Sequence, residues 1–135
     1  MAFTSKLQYL GALRLEAEHI KSGNTFITDA PTDNQGKGEA FSPTDTLATS
    51  LAACMVTVMG IRAVEEGFDL EDCSATVQKV MHSDPRRVGE VHVNVSLKAN
   101  CDAKMQKILE GIGRNCPVAK SLHPNLKQVI SFVWT

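Results

Sequence analysis

Four cysteines, at positions 54, 73, 101 and 116, are the residues with most chemistry to offer. Their successive spacings are 19, 28 and 15 residues, so no two form a Cys-x-x-Cys pair of the thioredoxin or zinc-knuckle kind. A chain of 135 residues does not need disulfide staples, and a cytosolic one would seldom keep them. The cysteines are therefore inert core residues or a reactive set, and their surroundings must decide. Cys54 shares a helical face with Leu47, Leu51, Met55 and Val58, the setting of a small core hydrophobe. Desolvation there disfavours a thiolate, and mid-helix the N-terminal dipole offers nothing. A nucleophilic role for Cys54 thus calls for a cation from elsewhere. Cys116 precedes Pro117, which suits a first helical position, so Cys116 reads as an N-cap where free N–H groups favour a thiolate. By local physics Cys116 is the better nucleophile of the two, and both stay candidates.

Arg14 falls on the opposite parity from Leu13 and Leu15. It is a solvent-facing strand residue or the cation that activates a thiol, a role for which arginine's permanent charge and planar donor fork are suited. His19, His82, His92 and His123 show no metal-ligand spacing, and no metal or resident cofactor is expected. Gly36-Lys37-Gly38 lacks the Lys-Ser/Thr pair of a phosphate loop, and there is no Gly-x-Ser-x-Gly elbow for a serine nucleophile.

The elements that must position these residues read as follows. Residues 7–30 alternate as two or three antiparallel strands, with Gly11 at a bulge or tight turn and Lys21–Asn24 as a turn. Residues 29–40 form a Pro- and Gly-containing loop. Ser42-Pro43-Thr44-Asp45 is a capping box that opens a helix running to Glu65 or Glu66 and stopped by Gly67. This helix is apolar almost all round from Leu47 to Ala63, which points to a helix surrounded by protein, at the centre of a dimer or as one fully buried core helix. Strands are expected over 72–81 and 91–97, joined by a hairpin around 83–87. A helix capped by Asp102 and ended by Gly113, a short helix from Cys116-Pro117 to about Leu122, and a strand over 127–134 complete the chain. The order makes one α+β domain over residues 1–135.

Composition narrows the function classes. Hydrophobic residues at 43% and charged residues at 21% are globular values, which excludes wholesale disorder. A net charge of −1 gives no reason to expect nucleic acid or an anionic membrane, and aromatics at 5% make base stacking a poor fit. Residues 1–18 lack a signal-peptide pattern. The apolar run 47–61 is shorter than the roughly 20 residues of a membrane span, so a cytoplasmic location is expected.

Two motifs carry a family likeness. Ser42-Pro43-Thr44-Asp45-Thr46-Leu47 followed by Leu51-Ala52-Ala53-Cys54 resembles the central helix of the OsmC/Ohr family. Cys116-Pro117-Val118-Ala119-Lys120-Ser121-Leu122 resembles that family's second cysteine motif. Thr28-Asp29-Ala30-Pro31 and Gly36-Lys37-Gly38 match the lead-in of one OsmC-like branch, and the order of elements fits along nearly the whole chain. The resemblance implies an intimately joined α+β homodimer with each long helix at its centre. It also implies a peroxiredoxin-like reduction of organic hydroperoxides. Cys54 would be the peroxidatic thiolate and pass through sulfenic acid; Cys116 would resolve it as a Cys54–Cys116 disulfide. An external dithiol, lipoyl in many members, would reset the pair. Cys73 and Cys101 match neither motif and read as structural.

The polar partners depart from the family pattern. Peroxidase members carry a Glu after the helix-start Pro, where this chain has Thr44. Arg14, the only arginine before Arg62, matches the family's N-terminal arginine, and Glu39 is the candidate for the missing carboxylate. Thr44 and Asp45 lie ten and nine residues before Cys54, roughly 14–15 Å along one helix, out of reach of its thiol. A weakly catalytic binder of a small hydrophobic ligand and a thiol redox sensor are the competing functions.

Overall fold

The computed structural model describes residues 2–135, which divide into two compact units, one ending at Thr46 and one spanning Leu47–Thr135. In the N-terminal unit, β1 (Ser5–Gly11), β2 (Arg14–His19) and β3 (Thr25–Asp29) form an antiparallel sheet in that order. The expected irregularity at Gly11 is present. The β1–β2 register shifts between Tyr9 and Gly11, and Gly11, Ala12 and Leu13 all have positive φ. The second turn closes through the Gly23 N–H, which donates to the His19 carbonyl at 2.8 Å. Only Ala17, Thr28 and Asp29 of these strands are buried, while Leu7, Tyr9, Leu10 and Phe26 are exposed.

After β3 the chain makes a 3-10 turn at Thr32–Asn34 and doubles back. The Gly36 N–H donates to the Pro31 carbonyl at 2.9 Å and the Gly38 N–H to the Ala30 carbonyl at 3.2 Å. A Cβ on Gly36 would stand 1.7 Å from the Ala30 carbonyl oxygen, so only glycine fits there.

Helix α1 (Pro43–Glu65) opens with the expected capping box. The Asp45 N–H donates to Ser42 Oγ and the Ser42 N–H to Asp45 Oδ2, both at 3.0 Å. Its end comes at Glu65, with Gly67 at φ +90° just beyond. One stripe of the helix, Ala48, Leu51, Ala52, Met55, Met59 and Ala63, is buried. Leu47, Ile61 and Val64 on its other faces are exposed within the chain. The helix has the expected bounds and extends past the apolar run 47–61 at both ends. By length and composition its 23 residues could cross a membrane. A core helix passes the same test, and the stripe of this one sits in the hydrophobic core.

In the C-terminal unit, β4 (Ser74–His82) and β5 (Arg87–Leu97) form the expected hairpin, and β6 (Lys127–Trp134) joins β5 in parallel. Strand β5 starts four residues earlier than its alternating valines indicate, because Arg87 and Val88 pair with His82 and Met81 across a bulge. Parallel pairing follows from the connection. Helices α2 (Ala103–Arg114) and α3 (Pro117–Ser121) intervene between β5 and β6, long enough for a crossover. Val91, Val93, Val95 and Leu97 turn inward and meet α1 and Leu109 of α2 in one core.

Asp102 caps α2 as expected, its Oδ1 accepting from the Met105 N–H at 2.8 Å. Gly113 does not end that helix. It lies inside α2, buried, where a Cβ would come 2.9 Å from Met59 Sδ and 3.5 Å from Phe132 Cζ. The residue is glycine because helix and core approach closely there. Trp134 Nε1 donates to Glu110 Oε2 at 2.8 Å, tying β6 to α2.

Candidate active site

Two groups of candidate residues form, one in each unit. In the C-terminal unit, Cys54 is half-buried on α1 and Cys116 is 1% exposed at the N-cap of α3. Cys54 is close enough to act on the Cys116 thiol, and it packs against the core cluster that contains Cys116. Cys116 Sγ also accepts from the Ala119 N–H at 3.4 Å, so the expected cap geometry is present.

The cap does not make Cys116 acidic. Burial pushes its thiol above the ordinary value, and contact with Cys54 and the charge on Cys54 push it further. The Ala119 and Val118 N–H groups oppose this without prevailing. A helix of five residues offers too little dipole to offset the burial of a thiolate. The cap that favoured Cys116 on local grounds is thus outweighed by its burial, and Cys54 is the more open sulfur.

In the N-terminal unit Arg14 is half-buried rather than solvent-facing. Its Nε donates to Asp29 Oδ1 at 2.7 Å and its Nη2 to Asp29 Oδ2 at 2.8 Å, a two-pronged pairing between residues opposite each other in the β2–β3 register. Nη2 also donates to Glu39 Oε1 at 3.1 Å, as expected for a carboxylate that meets the arginine. The Asp29 carboxyl lies below the usual carboxylate range, chiefly through its hydrogen bonds from Arg14, against the opposing effect of burial. The Arg14 guanidinium is held charged, again mainly by Asp29.

Asp29 is the site residue that sequence reasoning missed. The available signal was its place in Thr28-Asp29-Ala30-Pro31, but its pairing with Arg14 depends on strand register. Asp45 and Thr44 are engaged at the start of α1, Asp45 in the capping box and Thr44 with Ser42 Oγ at 3.2 Å.

Burial raises the thiols of Cys73 and Cys101, with the Asp102 charge adding to the latter. Both pack at the edge of the core. Glu90 accepts from or pairs with two imidazoles, His92 Nε2 at 3.0 Å and His82 Nε2 at 3.3 Å. Among the described residues no group of three or more His, Cys, Asp or Glu is arranged to hold a metal ion.

These features define an α+β protein with two neighbouring cysteines, one on a long helix and one at a helix cap. The sequence matches the OsmC-like protein family over residues 36–130, and the chain belongs to that family. It is 52% identical to a Psychrobacter arcticus protein named for osmotic stress induction and a detoxification response. That match covers 98% of this chain and 96% of the other, with a TM-score of 0.93. Two more distant folds agree: an organic hydroperoxide resistance protein OsmC of Legionella pneumophila (18% identity, TM-score 0.71) and the organic hydroperoxide resistance protein OhrB of Bacillus subtilis (18% identity, TM-score 0.63). Each match covers 98% of both chains. Among curated proteins none matches the sequence significantly. The expected α+β, OsmC-like fold is therefore the fold of this chain.

Proposed function

We propose that this protein is a thiol peroxidase that reduces organic hydroperoxides. The Cys54 thiolate attacks the distal oxygen of ROOH, the O–O bond breaks, and the alkoxide leaves and takes a proton to become ROH. Cys54 is then a sulfenic acid. Cys116, as a thiol, attacks the Cys54 sulfur and expels water, giving a Cys54–Cys116 disulfide. An external dithiol, of lipoyl type, returns both to thiols and leaves as its own disulfide. The observation that carries this reading is the closeness of Cys54 and Cys116 at one core, where burial raises the thiol of the second. Arg14 is the proposed cation that favours the Cys54 thiolate.

The working form is a homodimer in the cytoplasm, with no nucleic-acid or membrane partner. Exposed Leu47, Ile61 and Val64 on α1 and the uncovered apolar residues of the first sheet support a second copy.

The test is thiol counting after mixing the reduced protein with cumene hydroperoxide. The expected result is rapid loss of two thiols per chain, a Cys54–Cys116 bridge by mass spectrometry, and sustained turnover with dihydrolipoamide. Cys54→Ser abolishes all three. Retention of all thiols would leave a ligand-binding protein. Oxidation without turnover would leave a redox sensor, and a bridge through Cys73 or Cys101 would overturn the assignment.

A further inference from the structure

We infer that Asp29, rather than Glu39, is the positioning residue that aims Arg14. This rests on the reading that Arg14 activates Cys54. A guanidinium presents its Nε and one Nη as a fork that fits a single carboxylate at a time. Asp29 occupies both prongs, at 2.7 and 2.8 Å. Glu39 has one contact at 3.1 Å, on a nitrogen already shared with Asp29.

The two carboxylates also differ in freedom. Asp29 is 2% exposed, and its backbone N–H donates to the Phe41 carbonyl at 3.0 Å. Its Oδ2 receives a further hydrogen bond from the Glu39 N–H at 3.1 Å. The side chain of Glu39 is 64% exposed. An immobile partner can fix the plane of the guanidinium, and a solvated one cannot. Held by the Asp29 fork, the guanidinium keeps its Nη1 edge clear of both carboxylates, available to an anion.

Charge separates the roles further. Lys37 also acts on Asp29, so Arg14 and Lys37 balance Asp29 and Glu39, and loss of the Glu39 carboxylate leaves the cluster net positive, which favours the thiolate that Arg14 is proposed to serve. Asp29 and Glu39 carry the same charge, yet removing them should act in opposite directions. Asp29→Asn lets the guanidinium turn away, which outweighs the negative charge lost. Glu39→Gln removes only the opposing charge.

The experiment follows the pH dependence of Cys54 alkylation by iodoacetamide in a background lacking the other three cysteines. Asp29→Asn is expected to raise the midpoint by about one unit, tenfold in thiolate population at a fixed pH below it. Glu39→Gln is expected to lower it. In an Arg14→Lys background, Asp29→Asn should add nothing. A midpoint that falls in Asp29→Asn would make Asp29 a mere counter-charge and overturn the inference. So would a midpoint that rises in Glu39→Gln.

Should Asp29→Asn fail to fold, the Arg14 Nε–H can be followed by 15N NMR. Its slow solvent exchange in the unmodified protein should persist in Glu39→Gln, and its loss there would also overturn the inference. The parent reading fails separately: an unchanged profile in Arg14→Ala would remove Arg14 from activation altogether.

Discussion

At the scale of single residues, the division of labour proposed for the two sulfurs rests on burial. Cys116 is closed off and its thiol is raised, while Cys54 is half-exposed. A resolving thiol must keep its proton away from peroxide and lose it only on meeting a sulfenic acid. Cys116→Ser should therefore leave the first step intact and stop Cys54 at sulfenic acid. A dimedone adduct on Cys54 and, at higher peroxide, its sulfinic form are the expected masses. Asp29 makes a prediction in pH. Its carboxyl is lowered in the folded state, so the stability it contributes is present above the ordinary value of 3.8 and is lost as pH falls through the folded one. Thermal unfolding followed from pH 6 to pH 3 should show a drop at the acid end that is shallower in Asp29→Asn. An equal drop in both proteins would show that the Arg14 pairing does not contribute to folding.

At the scale of elements, three short features hold the candidate residues in place, and each can be tested alone. The loop after β3 returns Glu39 toward Asp29 only because Gly36 lies against the Ala30 carbonyl. Gly36→Ala sets a side chain against backbone, which cannot move aside as a flexible side chain can. It is expected to cost on the order of 2–4 kcal/mol in urea unfolding and to loosen the Glu39 contact. Asp102 satisfies a free N–H at the start of α2, and Asp102→Ala should cost about 1 kcal/mol by the same measurement. Gly113→Ala presses on Met59 and Phe132 within the core and should destabilise despite alanine's better helix propensity. A stabilised Gly113→Ala protein would show that the close approach is slack.

At the scale of the whole molecule, the surface of the chain asks for a partner. Ile61 and Val64 stand exposed on a helix whose opposite stripe is core, and Val64 is 61% exposed. Leu7, Tyr9 and Phe26 are uncovered on the first sheet. Apolar surface of this extent favours burial, and the proposed homodimer would supply it. Sedimentation equilibrium at micromolar concentration should give a dimer with an interface above the roughly 1,600 Å² standard. Ile61→Asp with Val64→Asp should yield monomer or unfolded chain, and an unchanged dimer would place the interface elsewhere.

Periodicity and capping chemistry made most elements legible before any coordinates. Alternating Val91, Val93, Val95 and Leu97 marked the central strand, Ser42 and Asp45 the start of α1, Asp102 that of α2 and Cys116-Pro117 that of α3. These are local rules, in which a side chain answers to neighbours within one turn or one strand. The two cysteine motifs likewise marked the thiols that meet. What escaped were relations between residues distant in sequence. Parallel pairing of β6 with β5, the close approach at Gly113 and the register of Arg14 with Asp29 each depend on how one element lies against another. The raised thiol of Cys116 was hidden for the same reason. Capping at Cys116 is local and visible in the sequence, whereas its burial and its closeness to Cys54 are set only when α1 and α3 pack together. Short-range stereochemistry was thus determined by the sequence itself, and desolvation and long-range charge pairing, which require the whole core to assemble, were decided by the tertiary structure alone.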